Sequence, residues 1–184
     1  MLKSLSRWYK LRRHRLGMGV HSPFAYRVVR DVIYGKGYYY AEPGLRVLTR
    51  GFPRRFKREY ALMFRFIARL SPQGVRLADS VEPQMEPLVR LADRRPIMGR
   101  GLGGYKAGKR ILTICEATDL RNGIPPGMLN SGNMLIVRRM EDAHQVLETI
   151  RNNMKGGWLF FDRHIALAVS NEHEPLNVTA VKMT

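Results

Sequence analysis

The sequence predicts an α/β protein: a mostly parallel sheet with an antiparallel hairpin at its edge, preceded by basic N-terminal helices. Three observations carry this reading. Two stretches before residue 70 have apolar residues at helical spacing. From residue 75 onward, short apolar runs suited to strands alternate with helical patterns, the signature of strand–helix–strand units. The last two strand runs have no helical pattern between them, so they are expected to pair directly as the edge hairpin. Residues 1–70 form the helical segment and residues 71–184 the α/β layer of one structural unit.

At the first helix, Ser22 is a plausible N-cap and Pro23 occupies a position where its missing N–H costs nothing. Phe24, Val28, Val32 and Ile33 then recur at helical spacing, which predicts a helix over 23–34 ended by Gly35. YYYAEPGL (38–45) reads as a turn-rich linker whose tyrosines are more suited to burial than to stacking on bases. After Pro53, a stripe of Phe56, Tyr60, Met63, Phe64, Ile67 and Leu70 predicts an amphipathic helix ending near SPQG. Its polar side carries Arg54, Arg55, Lys57, Arg58, Arg65 and Arg69.

The strand runs are VRLADS (75–80), RILTICEA (110–117), NMLIVRRM (133–140), WLFFDRHIALAV (158–169) and NVTAVKM (177–183). Helices are expected over 85–95 and 140–154, the second with Ala143, Val146, Leu147, Ile150 and Met154 on one side. Cys115 lies in an apolar run and is expected to be a core residue; a lone cysteine excludes an internal disulfide and suits a reducing, cytoplasmic setting. No apolar run approaches the ~18 residues of a membrane span, and the N-terminus lacks the apolar region of a secretory signal.

The net charge of +17 is unevenly spread. Residues 1–70 hold 17 Lys/Arg against three acids, whereas residues 71–184 hold 15 against 12. A field of that kind attracts polyanions, either nucleic acid or an anionic membrane surface. Arg12, Arg13, Arg15, Arg54, Arg55, Lys57 and Arg58 are the candidate contacts. A solvated helical surface accounts for the same residues.

GRGLGGYKAGKRILTIC (99–115) matches the first seven positions of a Walker phosphate loop from Gly103 to Lys109. The context is wrong: Arg110 stands where Ser or Thr would hold magnesium, and a strand follows where a helix should supply free N–H groups. The stretch is expected to be a flexible basic loop entering a strand. The five histidines show no metal-ligand spacing. Asp162 and His164 alternate on one strand, where an end-of-strand salt bridge is expected. Ser22 and Ser80 have no recognisable base, and no catalytic set emerges.

The segment RLGMGVHSPFAYR (15–27), followed by a helix, a tyrosine cluster, a basic helix and an α/β pattern, resembles a family of small class I S-adenosylmethionine-dependent methyltransferases of Bacteroidetes. The resemblance implies a Rossmann-like sheet with a cofactor site after its first strand. Here the expected acidic residue and glycine-rich turn are replaced by LADSVEPQME, with Asp79 near the acidic position and no glycine. Arg100 stands where an acid would accept the ribose hydroxyls. The span to RILTICEA is also one strand–helix unit short.

The chain therefore reads as a reduced relative that acts by interaction without a cofactor. The alternatives are an active S-adenosylmethionine-dependent methyltransferase, with Asp79, Ser80 and Glu116 lining what remains of the pocket, and a nucleic-acid-binding module. A homodimer is a further expectation.

Overall fold

The computed structural model describes residues 22–35, 41–105, 109–140 and 144–183. The first helix, α1, starts at Pro23–Arg27, with Ser22 Oγ accepting the Ala25 N–H at 3.4 Å as the expected cap. It runs on through Val28–Ile33 with π-helical geometry, the Tyr34 N–H reaching Val29 O. Helix α2 spans Glu42–Leu48 and thus occupies part of the stretch expected to be a linker. Pro43 suits a first turn, and Gly44 is a packing residue: a Cβ there would lie 2.8 Å from Leu91 Cδ1. Helix α3, Arg54–Leu70, follows the expected stripe and ends at Ser71 in the left-handed conformation. It buries Tyr60, Leu62, Met63, Phe64, Phe66, Ile67 and Leu70, each side chain worth about 1.5–3 kcal/mol of burial.

Seven strands follow: β1 Gly74–Leu77, β2 Ile97–Arg100, β3 Ile111–Glu116, β4 Met134–Arg138, β5 Gly157–Phe161, β6 Ile165–Ser170 and β7 Asn177–Ala180. Helix α4, Met85–Ala92, connects β1 to β2, and α5, His144–Asn153, connects β4 to β5. The sheet order is β2-β1-β3-β4-β6-β5-β7. β1 runs parallel to β2 and β3, β3 to β4, and β5 to β7, while β6 is antiparallel to both neighbours.

The edge hairpin expected from the sequence is corrected. The run 158–169 is not one strand paired with 177–183. It folds on itself as β5 and β6, and β6 inserts beside β4, while β7 forms the edge parallel to β5. A single twelve-residue strand would span about 40 Å, twice the usual length. The chain reverses at Asp162, whose Oδ1 accepts the N–H groups of His164 and Ile165 at 2.7 and 3.0 Å. Asp162 and His164 thus lie in a turn, not on a strand as expected. His164 Nε2 accepts from Arg163 Nε at 2.8 Å.

Register assigns the two faces of the sheet. Val75, Leu77, Leu112, Ile114, Met134, Ile136, Arg138, Trp158 and Phe160 share one face. The N-terminal helices lie on it, as Phe24 stacking 4.3 Å from Trp158 shows. The crossovers β1-α4-β2 and β4-α5-β5 travel in opposite directions, so right-handed connections put α5 on the other face. Between β2 and β3 the chain passes through residues 101–110 with no helix among the described residues; on the second face Arg76 donates to Gly104 O at 3.3 Å and Tyr105 meets Thr113 at 3.0 Å.

Candidate functional site

Strand order reverses between β1 and β3, and in open α/β sheets the crevice beyond the carboxyl ends of such strands is where ligands bind. The three residues expected to line a cofactor pocket all lie at this edge. Asp79 is exposed in the turn after β1, and Ser80, also exposed, follows it. Glu116 is the last residue of β3 and is buried.

The loops at this edge are tied to one another. Ser80 Oγ donates to Asp119 Oδ2 at 2.5 Å, and the same carboxylate accepts the Glu116 N–H at 2.8 Å. Glu116 and Asp119 form a reciprocal capping box around the short 3₁₀ turn Ala117–Leu120. Arg100 Nη1 donates to Val81 O at 3.3 Å, joining the loop after β1 to the end of β2. Asp119→Ala removes both acceptor bonds and is expected to lower stability by about 2 kcal/mol, read by urea denaturation.

The most buried part of the edge is a charge cluster around Arg138, the last residue of β4 and fully buried. Its Nε donates to Glu59 of α3, itself 1% exposed. Its Nη1 and Nη2 donate to Glu82 Oε2 and Oε1 at 2.5 and 2.7 Å, a bidentate pair. The Tyr60 hydroxyl donates to Glu82 Oε1 at 3.0 Å, and the guanidinium lies 5.7 Å from the Tyr60 ring centre. Arg139 follows in the left-handed conformation, φ 53°, and bridges to Glu116 at 2.9 Å.

Titration follows this geometry. Burial pushes the Glu82 carboxyl upward, but the hydrogen bonds and charge of Arg138 overrule it and hold the group down at about 2. Burial and the Glu82 charge raise the Tyr60 hydroxyl, which stays a protonated donor. Burial would disfavour the Arg138 cation, yet Glu82 and Glu59 hold it firmly charged. Burial likewise pushes the Cys115 thiol up, as suits the expected core residue.

Of the expected polyanion contacts, Arg54, Lys57 and Arg58 are exposed on the first turns of α3, and Arg55 is half-buried beside the Phe56 ring. Arg12, Arg13 and Arg15 lie outside the described residues, as do the family-like positions before Ser22 and residues 106–108 of the glycine-rich stretch. The described part of that stretch enters β3 directly, with no helix behind it. Among the described residues, no group of three or more His, Cys, Asp or Glu is placed to hold a metal ion, and no helix is long and apolar enough to cross a membrane.

Sequence reasoning missed the Arg138 cluster. One signal for it existed: Glu59 sits three residues after Phe56 and four before Met63, on the apolar stripe of α3. An acid there needs a buried cation, and the arginine ending the apolar run MLIVR is the natural supplier.

The fold and site together define an α/β protein with a mostly parallel mixed sheet whose switch-point edge carries a set of ion pairs. Neither family models nor curated proteins nor solved structures gave a match to the chain.

Proposed function

We propose that this chain is a non-catalytic protein on a reduced methyltransferase-like sheet, acting by interaction with an anionic partner through the basic face of α3. The observation that supports the reading best is the Arg138 cluster. In doubly wound folds the crevice beyond β1 and β3 is where a nucleotide-like cofactor sits. Here the polar groups at that edge are engaged with each other: Glu82 with Arg138 and Tyr60, Ser80 with Asp119, Arg100 with Val81 O. Positions 78–87 contain no glycine, so side chains stand where close backbone approach is required. The residues present do not fit S-adenosylmethionine.

The test is calorimetric titration of the protein with S-adenosylmethionine and with its demethylated product. Neither is expected to release heat at millimolar ligand; micromolar binding of either overturns the reading in favour of an active methyltransferase. The positive half uses single-stranded RNA and anionic lipid vesicles as probes at rising salt. The triple variant Arg54→Glu, Lys57→Glu, Arg58→Glu is expected to weaken probe binding about tenfold or more. For RNA, losing three phosphate contacts makes the slope of log K against log salt shallower by about 2. Unchanged binding excludes α3 as the contact surface.

A further inference from the structure

The geometry points to a second recognition surface, a groove beside β2 that takes an extended acidic segment of a partner protein as an added strand. β2 is the terminal strand of the sheet. The N–H groups of Ile97 and Gly101 donate to Gln73 O and Leu77 O of the β1 side, at 3.1 and 2.9 Å. Backbone direction alternates along a strand, so the amides of Met98 and Arg100 point away from the sheet, a ready template for a further strand.

The second face supplies the groove, bounded by the loop at Gly104. It has a volume of about 550 Å³ and is lined by residues that include Gly74, Arg76, Ile97, Gly99, Gly104 and Lys109. Gly74 pairs with Ile97 and Arg76 with Gly99, so two glycines keep the floor of the groove low beside the anchor. Ile97 is 72% exposed, the most exposed large apolar side chain among the described residues, and stands on this face as an anchor.

Charge selects the occupant. Arg94 is exposed ahead of β2, the exposed Lys109 lines the groove together with Arg76, whose guanidinium donates to Gly104 O at 3.3 Å, and no acid among the described residues lines it. Asp93 is already paired with Arg95 at 2.8 Å. A second copy of the chain would bring the same cations edge to edge, along with a net charge of +17. An extended segment with both acidic and apolar residues on its groove-facing side satisfies the cations and the anchor, and main-chain hydrogen bonds supply the rest.

The test uses a short fluorescent peptide whose one face carries valine and glutamate in turn and whose other face is threonine, followed by anisotropy, with lysine in place of glutamate as control. The acidic peptide is expected to bind and the basic one not. Met98→Pro deletes an outward N–H without touching the β1 ladder and is expected to weaken binding about tenfold or more. Arg94→Glu with Lys109→Glu is expected to weaken it at least as much and to reverse the preference between the peptides. Ile97→Asp, at an exposed site, gives an independent check with the same expected loss. The α3 triple variant should leave peptide binding unchanged. Wild-type affinity in these β2 variants overturns the proposal, as does failure of the acidic peptide to bind at low salt. A dimer split by Ile97→Asp would reassign the edge to self-association, and RNA that competes with the peptide and loses affinity in the charge-reversed variant would reassign it to nucleic acid.

Discussion

Arg138→Met is expected to destabilise the protein by about 3–5 kcal/mol at neutral pH, because it leaves the Glu59 carboxylate buried without its cation. The double variant Glu59→Met, Arg138→Met should recover most of that loss, since apolar groups of similar size then replace the pair and Glu82, 27% exposed, can be hydrated. Urea denaturation of the two single variants and the double gives the coupling directly. The pH dependence has a definite sign. Glu82 titrates at about 2 in the folded protein against 4.5 ordinarily. Its contribution is therefore full above 4.5 and lost as pH falls from there towards 2. In Arg138→Met this acid loss should vanish, so the penalty relative to the parent protein should shrink on acidification. A pH-independent penalty would mean that packing, not charge, holds the cluster.

Gly157→Ala is the second large effect, expected to cost about 3 kcal/mol or more. Gly157 opens β5 with φ 108°, and a Cβ there would lie 2.1 Å from Val169 O in the facing strand and 2.7 Å from Asn171 N just beyond it, both backbone atoms. Backbone on both sides cannot yield, so the start of the hairpin must separate. Thermal melting of the variant beside Gly123→Ala checks the assignment. Gly123 also has a positive φ, 106°, but nothing lies within 4 Å of its added Cβ. A similar loss in both would place the cost in the φ angle alone.

The helices were legible because their signals are local. Ser22 and Pro23 start α1, and the stripe from Phe56 to Leu70 gives α3 its buried side. The apolar runs around Ile111–Glu116 and Met134–Arg138 likewise read as buried parallel strands. The β5–β6 reversal was not legible. Its turn uses no glycine or proline, only the Asp162 carboxylate on two backbone N–H groups, and that bond is invisible in a hydropathy pattern. Gly44 misled in the opposite sense: it looks like turn chemistry but exists to let α2 approach Leu91. At the candidate site, the sequence placed Asp79, Ser80 and Glu116 at one edge. It did not disclose that Glu59, Glu82 and Arg138, 79 and 56 residues apart from the arginine, converge there. Such pairing depends on strand order, which no local pattern encodes.

The Glu59–Arg138 bond has a mechanical consequence for the basic helix. It fastens the second turn of α3 to the end of a central strand, directly after Lys57 and Arg58 and about one turn beyond Arg54 and Arg55. Those cations are thereby displayed from a stiff mount. A partner gripping them would spend little of its binding free energy on immobilising the helix, so the affinity should reside in the contacts themselves. Cutting the bond should loosen that grip even with every surface charge still in place.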